Sequence, residues 1–145
     1  MKEPGFKFLS HTADIKIKCW GTTIEEAFTQ AAYALMTVIS PNLEKISEKK
    51  KKTITIEAED KKALLFDFLS EFLFIFDVDK LVFSNIKVQS IKKINDGYEL
   101  IARMKGEEFN KDYHEIGTEV KAITYSYMKI EEKNESIIIE LVLDI

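Results

Sequence analysis

Two segments with apolar residues at helical spacing each lie between segments in which every second residue is apolar. The first helical segment follows Gly21 and ends at Ser40-Pro41-Asn42, and the second follows Asp60 and runs to about Phe76. Only strand-like patterns follow the second helix. This order predicts an α+β fold, with two helices packed on a mostly antiparallel sheet.

Several of the predicted elements have recognisable ends. Thr22-Thr23-Ile24-Glu25 has the spacing of a capping box at the start of the first helix. Asn95-Asp96-Gly97 predicts a tight turn between two strands. Ile137–Leu143 carries one charge in an apolar run, so we expect it at the centre of the sheet. The other predicted strands are Phe6–Leu9, Ile15–Trp20, Thr53–Glu59, Leu81–Ile91, Tyr98–Lys105 and Val120–Ile130.

Length and composition predict a single domain, residues 1–145, with a substantial core. The chain has 145 residues, of which 46% are hydrophobic, and this excludes intrinsic disorder. No apolar run reaches the roughly 18 residues of a membrane span, and the first residues are too polar for a signal peptide. Cys19 is the single cysteine, and we expect a buried structural thiol in a cytoplasmic protein.

The charge balance argues against a protein that wraps nucleic acid. The net charge is −4, whereas binding to phosphate backbones favours a basic surplus. The exception is the run Lys49–Lys52. We favour a solvated linker before a strand; the alternative is a docking point for RNA or for an acidic partner.

Known catalytic patterns are absent from the local sequence. The chain has no Gly-rich phosphate-binding loop, and neither His11 nor His114 lies in a Ser-His-Asp or Cys-His pattern. Gly106-Glu107-Glu108 indicates a turn that carries two carboxylates.

The C-terminus holds a candidate cation site. An apolar strand ends in Asp144-Ile145, which brings the side-chain carboxylate of Asp144 close to the terminal carboxylate of Ile145. Asp14 joins them if its strand lies beside the last one. Crowded carboxylates repel unless a cation such as Ca²⁺ or Mg²⁺ lies among them. Spacing alone still favours the simpler interpretation, in which Asp14 caps a turn and Asp144 is solvated.

Lys121 is a second candidate, because the alternation of the strand places it on the same face as Ile123, Tyr125 and Tyr127. It is either a surface lysine or a cation that meets a phosphate or a partner carboxylate.

Through these residues and several further motifs, the chain resembles the archease family along nearly its whole length. The similarity rests on several motifs in the same order, with both ends in register. The motifs are His11–Asp14, Gly21–Phe28, Leu64–Leu73, Gly106-Glu107, His114–Tyr125 and Leu143–Ile145. Ser126 departs from the family pattern, which has histidine there.

The resemblance implies a duplicated strand–helix–strand–strand module and a role as a non-catalytic activator of the RtcB-type RNA ligase in tRNA splicing. Archeases promote guanylylation of that ligase by GTP and allow multiple turnover. We therefore expect this protein to act on tRNA halves only indirectly, through the ligase. The resemblance also implies a divalent cation, calcium in crystals and otherwise magnesium or manganese, bound by Asp14, Asp144 and Ile145. Lys121 and His11 are expected to contact a partner or phosphate.

Two other functions are compatible with these residues. A metal-dependent hydrolase or nucleotidyl enzyme could use Asp14 and Asp144 itself, although no general base is apparent near them. A plain RNA-binding chaperone is disfavoured by the acidic charge balance.

Overall fold

The computed structural model describes residues 3–9 and 13–145. The described residues form seven strands, two α-helices and a short 3-10 helix, Leu43–Lys45. The helices are α1 (Ile24–Ile39) and α2 (Lys61–Asp79). The strands are β1 (Gly5–Leu9), β2 (Ile15–Gly21), β3 (Lys50–Ala58), β4 (Leu81–Ile94), β5 (Gly97–Glu108), β6 (Ala122–Lys133) and β7 (Ser136–Asp144).

The strands form two antiparallel sheets. One has the order β1-β2-β7-β6 and the other has the order β3-β5-β4. The predicted α+β class with two helices on antiparallel sheet is confirmed, and the strands divide between two sheets. The last strand, β7, lies between β2 and β6, which confirms its predicted central place.

The two sheets contain the same unit twice. In β3-α2-β4-β5 the three strands are arranged first, third, second, and β2-α1-β6-β7 has the same arrangement. The β3–β5 unit is inserted in the chain between α1 and β6. Helix α1 contacts β2 and β4, whereas α2 contacts β3 and β6. Because each helix touches both sheets, the two units share one apolar core.

Helix α1 begins one residue later than its capping signal predicts. Thr23 is the N-cap, and its hydroxyl accepts a hydrogen bond from the N–H of Glu26 at 3.1 Å. The carboxylate of Glu26 accepts the N–H of Thr22 at 2.8 Å. The predicted pair of Thr22 and Glu25 is therefore wrong by one position. Glu25 instead accepts the N–H of Ile91 in β4 at 3.1 Å, so it links the helix to the neighbouring sheet.

The lysine run is not a linker. Lys50–Lys52 form the start of β3, which is an edge strand, and only Lys49 precedes it. Lysines on an exposed edge oppose pairing with another chain, so the pattern has a structural role there. The proposed contact of this run with RNA or an acidic partner stays a hypothesis. The predicted turn at Gly106–Glu108 is also wrong, because these residues complete β5.

Helix α2 is buried on most of its circumference. Asp60 caps it as predicted and accepts the N–H of Ala63 at 2.8 Å. Its buried residues are Leu64, Leu65, Phe68, Leu69, Phe72 and Ile75. Phe74 and Val78 remain 60% exposed on the outer side. Within residues 3–9 and 13–145, no helix is long and apolar enough to cross a membrane.

Candidate functional site

Asp14 and Asp144 lie at the same end of two paired strands. Ile15, the first residue of β2, pairs with Leu143 of β7. In an antiparallel pair, the residue before Ile15 and the residue after Leu143 lie at the same end, and these are Asp14 and Asp144. Asp144 also pairs with Ala122 of β6. Three strands thus hold the two acids at one end of the sheet. The sequence predicted this proximity if β2 and β7 are neighbours.

The two acids line a common cavity of about 240 Å³. Asp14 is half-buried and Asp144 is exposed. The hydroxyl-bearing residues Thr124 and Ser126 line the same cavity, together with Tyr127 and Val142. Carboxylate and hydroxyl oxygens are ligands that hard cations such as Ca²⁺ and Mg²⁺ accept, so this donor set fits a divalent cation.

Two acidic side chains do not by themselves complete a metal site. Among residues 3–9 and 13–145, no three His, Cys, Asp or Glu side chains converge as metal ligands. Further oxygens would have to come from the hydroxyls of Thr124 and Ser126, from main-chain carbonyls or from Ile145, the residue after Asp144. His11, the other residue named near this site, lies outside the described residues. The ligand set Asp14, Asp144 and Ile145 stays a prediction.

A bulge in β6 forms one wall of the acidic cavity. Thr124 pairs with Val142 and Lys129 pairs with Glu140, so the four residues 125–128 lie opposite Leu141 alone. The hydroxyl of Thr124 accepts the N–H of Ser126 at 3.0 Å inside the bulge. Tyr127 has a φ of 59°, which is unusual for an aromatic residue. Bulges commonly redirect side chains beside functional sites.

The bulge was missed at the level of sequence, although the sequence carries a signal for it. Ile123 and Met128 are both buried, five positions apart. Two residues on one face of an uninterrupted strand are separated by an even number of positions. The odd spacing of these two apolar residues therefore indicates extra residues in between.

Lys121 contacts Asp144 through its main chain, and its side chain lies elsewhere. Its N–H donates to the carbonyl of Asp144 at 2.8 Å. Its exposed side chain lines a different cavity, of about 540 Å³, beside Leu73, Phe76 and Asp77 of α2. The alternation that grouped Lys121 with Tyr125 and Tyr127 is wrong, because β6 begins at Ala122 and the bulge interrupts it.

The segment before Lys121 is fixed to the end of α1. The N–H groups of Gly117 and Thr118 donate to the carbonyls of Ile39 at 3.0 Å and Val38 at 2.8 Å. The buried hydroxyl of Ser40 donates to the carbonyl of Glu115 at 2.8 Å. The bonds from Gly117 and Thr118 satisfy carbonyls that the end of α1 leaves without helical partners. They also set the position from which β6 starts.

Two residues with potentially reactive side chains, His114 and Cys19, have structural roles. The buried ring of His114 bonds to Glu107 at 2.8 Å and stacks on Phe109. Cys19 is fully buried in β2, as predicted, and burial raises the pKa of its thiol to about 12. A thiol in that state is a poor nucleophile at neutral pH.

Comparison with known proteins finds similarity along nearly the whole chain. The archease protein family (MTH1598/TM1083) matches residues 6–145. The chain is 45% identical over 122 residues to the protein archease of Thermococcus kodakarensis, with 84% of each chain covered. It is 36% identical over 140 residues to the protein archease of Methanosarcina mazei, with 97% of this chain and 95% of the relative covered.

Solved structures give the same result for the fold. The solution structure of protein 1598 from Methanobacterium thermoautotrophicum aligns with a TM-score of 0.82 and 32% identity, over 97% of this chain and 99% of the other. The crystal structure of an archease from Thermotoga maritima, described as a possible chaperone, aligns with a TM-score of 0.62. That alignment covers 100% of this chain and 98% of the other at 23% identity, so the likeness concerns the fold alone.

Proposed function

Since this chain belongs to the archease family, we propose that it is an accessory protein that activates an RtcB-type RNA ligase in tRNA splicing. The proposed activity is to promote guanylylation of the ligase by GTP, so that the ligase turns over repeatedly. In this role the protein itself forms no covalent intermediate. The observation that carries the proposal is the common cavity that Asp14 and Asp144 line at the paired ends of β2 and β7.

The arrangement of the two acids supports this role. They lie at the end of a sheet whose other strands are held by the shared core, so they can enter a pocket of the ligase without rearrangement of the fold. A divalent cation, when bound there, would neutralise negative charge on phosphate oxygens of the nucleotide. Asp14, Asp144 and Ile145 would hold it, and the hydroxyls of Thr124 and Ser126 in the cavity wall are further oxygen donors.

Charge complementarity is a second argument for a ligase partner. This chain has a net charge of −4, whereas an enzyme that binds RNA presents a basic surface. Opposite charge accelerates encounter and selects the orientation of docking.

The test is a multiple-turnover RNA ligation assay with the cognate ligase, GTP and Mn²⁺ or Mg²⁺. Substoichiometric wild-type protein should raise product formation many-fold. Asp14→Asn and Asp144→Asn should abolish the stimulation but keep the melting temperature, since each removes one charge at a cavity wall. Asp112→Asn, a change of the same kind at an exposed loop residue, should stimulate like wild type.

Cation binding is measured separately, by titration calorimetry with Ca²⁺ and Mn²⁺. Asp14→Asn and Asp144→Asn should each lower the affinity for the cation at least tenfold, and Asp112→Asn should leave it unchanged. Normal stimulation by Asp144→Asn would contradict the proposal. Nucleotide or RNA cleavage by the isolated protein, lost in Asp144→Asn, would instead favour a metal-dependent enzyme.

A further inference from the structure

The bulge of β6 presents two tyrosines to solvent, and one of them, Tyr127, lines the acidic cavity. Tyr125 is 52% exposed and Tyr127 is 71% exposed. Contiguous exposed apolar surface marks interaction sites, and tyrosine is enriched at the centres of protein interfaces. Tyr125 lies against α2, whereas Tyr127 lies toward β2, so we call Tyr125, Phe66 and Asp67 the tyrosine surface.

Tyr125 is held in a defined orientation. Its ring stacks on that of Phe66 in α2, with ring centres 4.3 Å apart and planes 5° apart. About half of the residue stays exposed to solvent in spite of this stack. A ring that is already ordered loses little conformational entropy when a partner contacts it.

Acidic residues influence this ring. Asp67 follows Phe66 on α2 and is exposed. Burial, and then the negative charges of Asp67, Asp60 and Glu59, raise the pKa of the Tyr125 phenol. An aromatic face next to carboxylates attracts a cationic group twice, through the ring and through the charge.

Tyr127 shows a contact of this kind within the chain. The ammonium group of Lys16 lies 5.6 Å from the centre of the Tyr127 ring. Lys16 also pairs with Glu140 at 3.4 Å. The same combination of aromatic ring and carboxylate is available at Tyr125 and Asp67 for a cation from outside.

We infer that the tyrosine surface docks arginine side chains of a basic protein partner. The guanidinium group is planar, so it can stack on a tyrosine ring while it bonds to a carboxylate, which an ammonium group does less well. RNA fits this surface less well, because its phosphates would face Asp67 and the nearby acids. The identity of the partner as the RNA ligase rests on the proposed function.

The experiment measures two quantities for each variant: the affinity for the ligase, by interferometry at 50 and 300 mM salt, and the concentration that gives half-maximal stimulation of ligation. Tyr125→Ala and Asp67→Lys should each lower the affinity about tenfold and raise the half-maximal concentration about tenfold, with the same maximal stimulation reached at saturation. Asp67→Lys should lose more affinity at low salt than at high salt. Tyr125→Phe keeps the ring and should behave like wild type.

Tyr113→Ala and Asp112→Lys are the matched controls. Tyr113 is also exposed, at 55%, but contacts Lys45 and His114 instead. Both controls should leave affinity and stimulation unchanged. Melting temperatures show whether Tyr125→Ala unfolds the protein. If it does, Asp67→Lys still tests the surface, because Asp67 is exposed and its replacement should leave the fold intact.

The outcomes separate the two proposals. Unchanged affinity in both Tyr125→Ala and Asp67→Lys overturns the docking surface, even if wild type stimulates the ligase. Weakened binding by both variants supports it, even if wild type binds without stimulating, in which case only the activator role fails. No binding by wild type overturns both. Salt-sensitive binding of labelled RNA to the isolated protein, lost in Tyr125→Ala, overturns it in favour of RNA.

Discussion

The Nε2 atom of His114 lies 2.8 Å from Oε2 of Glu107, inside the protein. The other ring nitrogen, Nδ1, accepts the N–H of Asn110 at 2.9 Å, so the proton of the neutral ring is on Nε2 and is donated to Glu107. The Glu107 carboxylate also accepts the N–H of Ser47 at 2.7 Å and pairs with Lys49 at 3.6 Å. One carboxylate thus joins the end of β5, the chain before β3 and the segment that leads to β6.

Replacement of this carboxylate should change how stability depends on pH. The N–H of Ser47, then His114 and Lys49, lower the pKa of Glu107 below its usual 4.5. Because the folded-state pKa is the lower one, its stabilisation is present above about pH 4.5 and is lost as the pH falls through the folded value. Glu107→Gln should reduce the free energy of unfolding by about 1–3 kcal/mol at pH 7 and less at pH 3. Urea denaturation across this range measures both, and an equal loss at pH 7 and pH 3 would contradict the assignment.

The backbone of Gly117 packs directly against the end of α1. A Cβ atom at Gly117 would lie 2.0 Å from the carbonyl oxygen of Val38, so the backbone would have to move. Gly117→Ala should therefore cost about 1–3 kcal/mol of stability. It should also speed hydrogen exchange at the amide of Thr118, whose bond to Val38 would be broken. Gly5→Ala is the control, because its Cβ would meet only the side chain of Trp20. Unchanged exchange at Thr118 would show that the segment is not fixed there.

The left-handed backbone at Tyr127 should make glycine better tolerated there than at Tyr125. A residue with a Cβ atom loses roughly 1–2 kcal/mol of stability in that region, and glycine avoids this loss. Tyr127→Gly should consequently destabilise the fold less than Tyr125→Gly, which also loses the stack on Phe66. Thermal denaturation of the two variants compares them directly. The reverse order would mean that the bulge is not strained at Tyr127.

The buried thiol of Cys19 should make the fold sensitive to alkaline pH. Its pKa rises from 9.0 to about 12 because burial penalises the thiolate. The unfolded chain loses this proton first, so stability falls as the pH rises above about 9, by up to about 1.4 kcal/mol per pH unit. The stability difference between wild type and Cys19→Ala should narrow accordingly between pH 9 and 11. Native wild type should resist thiol reagents at pH 8, and rapid labelling would contradict full burial.

The period of the apolar residues was enough to locate both helices and all seven strands to within a few residues. Local hydrogen bonding is the reason, since a cap such as Asp60 acts on a group only three residues away. The sequence also indicated that Asp14 and Asp144 would lie together if their strands were neighbours. Local chemistry did not indicate that Glu25 would bond to Ile91, 66 residues away, instead of capping its own helix.

The sequence by itself determined the elements and the position of Asp144 at the end of an apolar strand, because each depends on neighbours along the chain. The continuous apolar run of Ile137–Leu143 also indicated a strand that is covered on both sides. Only the tertiary structure decided the division into two sheets, the insertion of one unit into the other and the bulge that exposes Tyr125 and Tyr127. These depend on which strands pair and in what register, and pairing partners lie far apart in sequence. The packing of each helix against both sheets selects that pairing, and no local pattern records it.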